Sequence, residues 1–83
     1  MVAMMQQEQQ TFAQLLRAER EARDWTQEEL AAKIPVRANS VYRWEAGTTV
    51  PGIWARRRLC RVFGWDRVAL RKLCRRECRV NVE

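Results

Sequence analysis

The sequence predicts an all-α fold of five helices packed into one domain. Apolar residues recur at spacings of three and four, the period of a helix, and no stretch alternates apolar and polar residues as a half-buried strand would. Eighty-three residues suffice for one domain, and 47% of them are apolar, enough for a globular core. Because a core of this size is limited, we expect pairing with a second copy or a partner to add stability.

The two ends of the chain are predicted to lie outside this domain. Residues 1–10 are rich in glutamine and carry no Lys or Arg, so we expect a flexible arm or a frayed extension of the first helix. Residues 80–83 are expected to fray. The domain itself then spans 11–79. The start of the chain has no signal-peptide pattern, and no apolar run approaches the ~20 residues that cross a bilayer.

Two capping boxes mark the starts of the first two helices. Thr11 and Gln14 open a helix that is expected to reach Arg23, and Asp24 is expected to end it because Asp tolerates left-handed backbone. Thr26 and its partner three residues later open the second helix, which runs through Lys33. A proline at position 35 then stops that helix, because proline cannot continue the ladder of hydrogen bonds.

The third helix is amphipathic. It is predicted from about Ala38 to Ala46, with a glycine after it as the C-terminal stop. Val41 and Trp44 fall on one side and are expected to pack inward. Asn39 and Arg43 are four residues apart and share the other side. Two further helices are predicted from about Ile53 to Phe63 and, with Asp66 as N-cap, from there to about Cys78.

The charge of the chain is unevenly distributed. The net charge is +6, with −1 in residues 1–50 and +7 in residues 51–83. Arg67, Arg71 and Arg75 form a basic stripe on the last helix. Such a stripe is either a solvated face, a source of attraction for nucleic acid, or a docking face for an acidic partner protein. Binding to a membrane has no other support in the sequence.

The three cysteines, Cys60, Cys74 and Cys78, are an odd number and cannot all pair within one chain, which indicates a reducing compartment. A zinc site would need a fourth ligand, and the chain has neither a CxxC motif nor a histidine. Apolar packing is therefore the favoured role, and we expect no metal and no cofactor.

Several segments carry a resemblance to one known family. They are Phe12, LLR at 15–17, Arg20, TQEELA at 26–31, SVYRWEAG at 40–47, Pro51 and LCRVFGW at 59–65. Across 12–70 the chain resembles the phage repressor and Cro-like helix-turn-helix domains, also called the XRE family. The resemblance implies a compact five-helix lambda-repressor-like bundle whose helices 2 and 3 form the helix-turn-helix. It also implies that helix 3 enters the major groove of double-stranded DNA.

The resemblance assigns roles to individual residues. Those that read bases would be Arg37, Ala38, Asn39 and Arg43. Those that contact the DNA backbone would be Thr26, Gln27, Tyr42, Thr48 and Arg56. Arg20 and Glu45 would form an ion pair that joins helix 1 to helix 3. The chemistry agrees, because Asn can bind adenine through a donor and an acceptor and Arg can bind two acceptors of guanine.

The sequence departs from the family pattern at two positions. Pro35 stands where the family usually has glycine, which allows a positive φ that the proline ring forbids. We therefore expect the turn to use another geometry or helix 2 to end earlier. Arg37 stands where Ser or Thr often caps helix 3, and arginine cannot cap in that way.

The leading functional hypothesis is a sequence-specific regulator of transcription of bacterial or phage type, located in the cytoplasm at the nucleoid. It would act as a homodimer on two half-sites about 34 Å apart. The alternative is a protein-interaction module or antitoxin-like adaptor whose basic C-terminal third docks on an acidic partner. An enzyme is not expected, because the chain has no histidine, one serine and no Gly-rich phosphate loop.

Overall fold

Five helices and one short parallel strand pair make up the described part of the chain. The structure is a computed structural model that describes residues 10–77 and the backbone of 81–82. The elements, in order, are α1 Phe12–Ala22, α2 Gln27–Lys33, α3 Ala38–Ala46, β1 Thr49–Val50, α4 Ile53–Phe63, α5 Arg67–Arg76 and β2 Asn81–Val82. This is the all-α bundle that the sequence predicts.

The helices begin where the capping patterns predict. Thr11 and Thr26 each accept a hydrogen bond from the third residue of their helix, and the reciprocal side-chain bond is also present, so both capping boxes are confirmed. Asp66 caps α5, its Oδ2 accepting from the backbone N–H of Ala69 at 2.8 Å. Asp24 has φ +58°, the left-handed backbone expected after α1.

One apolar core is shared by all five helices. Each helix contributes at least two fully or nearly buried apolar residues, and these are Phe12, Leu16, Leu30, Ala31, Val41, Trp44, Ala55, Leu59, Cys60, Phe63, Leu70 and Cys74. Trp25 and Trp65 are half-buried and pack against this core, with ring centroids 5.8 Å and 4.6 Å from that of Phe63. The rings of Phe12, Trp44 and Phe63 are at most 8% exposed, and each removes a large apolar area from water.

The residue that follows the last helix bonds to the start of the first helix. Glu77 is the C-cap of α5, and its Oε2 accepts from the backbone N–H of Phe12 at 2.9 Å. A carboxylate at this place also interacts favourably with the positive end of the α1 dipole. The last helix ends at Arg76, earlier than the predicted Cys78. Cys78 lies outside the described residues.

The strand pair is a correction to the sequence analysis, which expects no strand and a frayed segment at 80–83. Thr49 pairs with Asn81, and Val50 pairs with Val82, in parallel. Both strands have only two residues, too few to show alternation, and they are far apart in sequence. No local pattern can reveal such a pairing. The predicted arm lies outside the described residues except for Gln10, as do 80 and 83.

The turn after α2 is the second correction. Helix α2 ends at Lys33, as predicted, and Pro35 has φ +23°, so the positive φ expected of a glycine is retained at this position. The N–H of Val36 donates to the carbonyl of Ala31 at 3.0 Å, which is the six-to-one bond of a Schellman motif. The expectation of another turn geometry is therefore wrong, and the proline is strained because its ring favours φ near −65°.

Candidate nucleic-acid interface

Helix α3 presents one exposed face above a fully buried one. Val41 and Trp44 have 0% and 1% of their surface exposed and anchor the helix in the core, as predicted. The exposed residues are Asn39, Tyr42, Arg43 and Ala46, at relative positions 0, 3, 4 and 7. That spacing places all four on one side of a helix. The outer face of α3 is therefore a continuous surface that carries amide, phenol and guanidinium groups.

The predicted base-contacting residues at the start of α3 differ in their exposure. Arg37 is the N-cap, makes no side-chain cap bond and is exposed. Asn39 is also exposed. Ala38, in contrast, is half-buried and packs against the core, so its methyl group is only partly presented at the surface. Arg37 and Asn39 are thus the accessible members of this segment.

The predicted pair of Arg20 and Glu45 is present and joins α1 to α3. Arg20 Nε lies 2.6 Å from Glu45 Oε2, and Arg20 Nη2 lies 3.0 Å from Oε1. Arg20 Nη1 also donates to the carbonyl of Trp25 at 2.6 Å. Only 11% of the Arg20 side chain and 5% of the Glu45 side chain are exposed. The hydrogen bond to Glu45 raises the pKa of Arg20 above its ordinary value, so the guanidinium is held charged.

Gln27 brings α2 into the same network. This first residue of α2 donates from Nε2 to Glu45 Oε1 at 3.1 Å. Sequence reasoning places Gln27 at a DNA phosphate and does not find this bond, because the chain shows no spacing that connects 27 to 45. Helices α1, α2 and α3 therefore meet at one carboxylate, which fixes their relative orientation.

Comparison with known proteins decides the family. A family model described as a helix-turn-helix domain matches residues 11–73, most of the chain. The chain belongs to this helix-turn-helix family. Comparison with curated proteins and with solved structures finds no match. Membership indicates DNA binding in the regulation of transcription, and such domains are typically not enzymes. In the described part of the chain, every helix is too short or too polar to cross a membrane.

The helix-turn-helix domain uses some predicted DNA-backbone residues to support its own fold. The hydroxyl of Thr26 accepts from the N–H of Glu29 at 3.0 Å. Arg56 is half-buried, and its Nη1 donates to the carbonyl of Pro51 at 3.1 Å. Tyr42 and Thr48 are exposed, and Thr48 follows a left-handed Gly47 at φ +80°. Tyr42 and Thr48 are therefore better placed for a phosphate than Arg56.

Trp54 is an exposed aromatic residue close to this helix-turn-helix. It lies in the first turn of α4, shortly after the loop that follows α3, and 68% of its surface is exposed. The guanidinium of Arg57 lies 5.8 Å from the centroid of its ring. Exposure of a tryptophan is uncommon, and its indole is available for contact with a nucleic-acid backbone or a partner.

The cysteines of the helix-turn-helix domain lie in the interior. Cys60 and Cys74 are buried and unpaired, and burial raises the pKa of both thiols, that of Cys74 to about 11. Among the described residues, no three Cys, Asp or Glu side chains are grouped as metal ligands, and Cys78 lies outside them. Apolar packing explains these two thiols, since a raised pKa keeps them protonated and poor as ligands.

Proposed function

We propose that this domain binds specific sequences of double-stranded DNA and regulates transcription by reading the major groove with α3. The observation that carries the proposal is the exposed face formed by Asn39, Tyr42, Arg43 and Ala46, above the buried Val41 and Trp44. A helix anchored from one side and polar on the other fits the major groove, which is about 12 Å wide.

The chemistry of this face suits base recognition. Asn39 offers a donor and an acceptor, the pattern that matches adenine N6 and N7. Arg43 offers the paired donors that match guanine O6 and N7. Tyr42, between them, is 58% exposed and reaches outward to a phosphate or sugar. Arg37 adds a positive charge at the start of the helix.

The carboxylate network supports the proposal because base reading requires a fixed helix angle. Glu45 lies near the end of α3 and is bonded to Arg20 on α1 and Gln27 on α2. These bonds are buried or half-buried and involve charged groups, which makes them stronger than bonds between neutral groups. The recognition face is therefore presented at one orientation rather than several.

The distribution of charge also supports binding to DNA. Residues 51–83 carry a net charge of +7, and the exposed arginines there attract a polyanion from a distance. This attraction is independent of sequence and falls with salt. We propose that it raises the rate at which the domain encounters DNA, while α3 supplies the sequence specificity. Two copies on half-sites about 34 Å apart would block or recruit polymerase at the nucleoid.

Selection of bound duplexes from random DNA at two salt concentrations tests the proposal. We expect a motif with adenine and guanine at fixed positions, kept at the higher salt. The variant Asn39→Ala/Arg43→Ala should lose that motif, whereas the control Arg58→Ala, on the exposed surface of α4, should keep it. Binding without base preference that disappears at the higher salt would overturn the proposal, since charge attraction alone behaves in that way.

A further inference from the structure

A groove between α4 and α5 has an apolar side chain on each side and a basic rim. At one end it is lined by Ile53 and Val68, together with Arg57, Arg67 and Arg71. A second cavity shares Arg57 and Arg67 with it and extends to Arg61 on α4 and to Trp65 in the connection between the two helices. None of these residues lies on α3, so the groove is separate from the face proposed to read DNA.

The apolar residues of this groove are unusually accessible. Ile53 is 52% exposed and Val68 is 48% exposed, and they approach from different helices. Single exposed apolar residues are common on protein surfaces, but apolar residues that converge in a concave site are a feature of interaction sites. Their position forms a concave apolar contact that a side chain of another molecule can enter.

The charged residues of the groove all have the same sign. Arg57, Arg67 and Arg71 are exposed, and among the described residues none of the three pairs with a carboxylate. We propose that the groove binds an acidic amphipathic segment of a partner protein. An apolar side chain of that segment lies between Ile53 and Val68, and its carboxylates contact the arginines, a task for which arginine is well suited.

Other occupants fit less well. A second copy of this chain placed symmetrically would bring the arginines of one rim against the same arginines of the other. A nucleic-acid backbone would satisfy the arginines but has no apolar group for Ile53 and Val68. The groove is open along its length, with about 230 Å³ at the apolar end and about 380 Å³ at the other. A pocket that holds a small molecule instead encloses it and buries about 70–90% of its surface.

Titration of the isotope-labelled full chain with a synthetic acidic helical peptide, followed by the backbone amide signals in NMR, tests this proposal. The peptide carries leucines along one face and glutamates elsewhere. A second peptide has serine in place of each leucine. We expect the first peptide to shift signals of α4 and α5 around Ile53 and Val68, and the second to bind about tenfold more weakly, which corresponds to roughly 1.4 kcal/mol.

Two charge-matched variants locate the site. Arg57→Glu/Arg71→Glu reverses one groove arginine on each helix, and Arg58→Glu/Arg76→Glu reverses one exposed arginine outside the groove on each helix. We expect the first variant to lose at least about tenfold in affinity for the leucine peptide and the second to lose about threefold or less. Val68→Ser, which keeps the net charge of the groove, should also weaken binding about tenfold.

Three outcomes would overturn the proposal. Equal binding of the leucine and serine peptides would mean that charge alone attracts them. Equal losses in the two double variants would place the contact outside the groove. If the groove variant loses affinity for a selected DNA duplex but keeps affinity for the peptide, the groove serves nucleic acid. Failure of the peptide test leaves base selection by α3 unaffected, because the two measurements use different ligands.

Discussion

Gln27 and Arg20 donate to the same oxygen of Glu45, at 3.1 Å and 3.0 Å. That single Oε1 connects the start of α2 and the last turn of α1 to the end of α3. The second oxygen of Glu45 receives Arg20 Nε at 2.6 Å, so the arginine binds the carboxylate through two parallel bonds. The orientation of α3 therefore depends on a buried carboxylate whose two oxygens both accept hydrogen bonds.

Removal of Arg20 should be much more costly than removal of a neighbouring arginine. Arg20→Met leaves Glu45 charged and buried without its cation, and we expect a loss of about 3–5 kcal/mol in the free energy of unfolding. Arg17→Met, on the same helix, removes an exposed pair with Glu21 and should cost about 0–1 kcal/mol. Urea denaturation of both variants measures the difference. Similar losses in the two variants would show that the buried pair of Arg20 and Glu45 contributes no more to stability than the exposed pair.

Loss of the Gln27 amide should weaken binding to all DNA sequences by a similar factor. Gln27→Ala removes the bond to Glu45 and the proposed contact to a phosphate, and phosphate contacts carry no sequence information. We expect about 1 kcal/mol lower stability, from one hydrogen bond, and similar losses of affinity on every duplex tested. Fluorescence anisotropy with a panel of single-base variants measures this. A change of preference at one base pair would instead assign Gln27 to base reading.

Arg43→Ala should show the opposite pattern. We expect a loss of about 1–3 kcal/mol on the best sequence and relaxed choice at one base pair, because the guanidinium is proposed to bind one guanine. Arg58→Ala, which removes an equal charge from α4, serves as the control and should lower affinity slightly on all duplexes. Fluorescence anisotropy with the same panel of duplexes measures both variants. Unchanged discrimination in Arg43→Ala contradicts its role.

Helix boundaries could be predicted because their signals are local. Thr11 and Thr26 determine helix starts through bonds to residues three positions away, and the spacing of Val41 and Trp44 determines the inner face of α3. The pair of Arg20 and Glu45 came only from resemblance, since nothing in a single sequence connects positions 25 residues apart.

The features that the sequence does not predict depend on contacts between segments that are far apart in the chain. The pairing of Thr49 with Asn81 joins segments of two residues each, and the bond from Gln27 to Glu45 depends on how α2 meets α3. The turn at Pro35 was misjudged because local preference for negative φ is outweighed by the packing of α2 and α3 on either side. The groove between α4 and α5 likewise exists only once both helices have packed.

Replacement of Pro35 by glycine should stabilise the domain. A backbone at φ +23° strains the proline ring by about 1–3 kcal/mol, whereas glycine adopts positive φ freely. Glycine also restores an N–H that can donate to Ala32, the second bond of the Schellman motif. Its greater freedom in the unfolded chain costs about 0.4–1 kcal/mol. We therefore expect a net gain of about 1 kcal/mol by thermal or urea unfolding.

Pro51 provides the control for this substitution. Pro51 is fully buried and is not among the described residues with positive φ, so Pro51→Gly removes packing without relieving strain. This variant should unfold at a lower temperature than the parent chain. If Pro35→Gly is also destabilising, the turn does not hold position 35 at positive φ in solution.

Stability above pH 9 should depend on the thiol of Cys74. Burial raises its pKa from 9.0 to about 11 in the folded chain, so the unfolded chain loses this proton first as the pH rises. Stability from this group is complete below about pH 9 and is lost as the pH passes through about 11, a change of about 2–3 kcal/mol.

Cys74→Ala keeps the buried Cys60 and all other titrating groups but lacks this dependence. Urea unfolding of both proteins between about pH 8 and pH 11 measures it, and the curve of the parent chain should fall more steeply. Parallel curves would mean that the Cys74 thiol ionises as easily in the folded chain as in the unfolded one, and so is not shielded by the core.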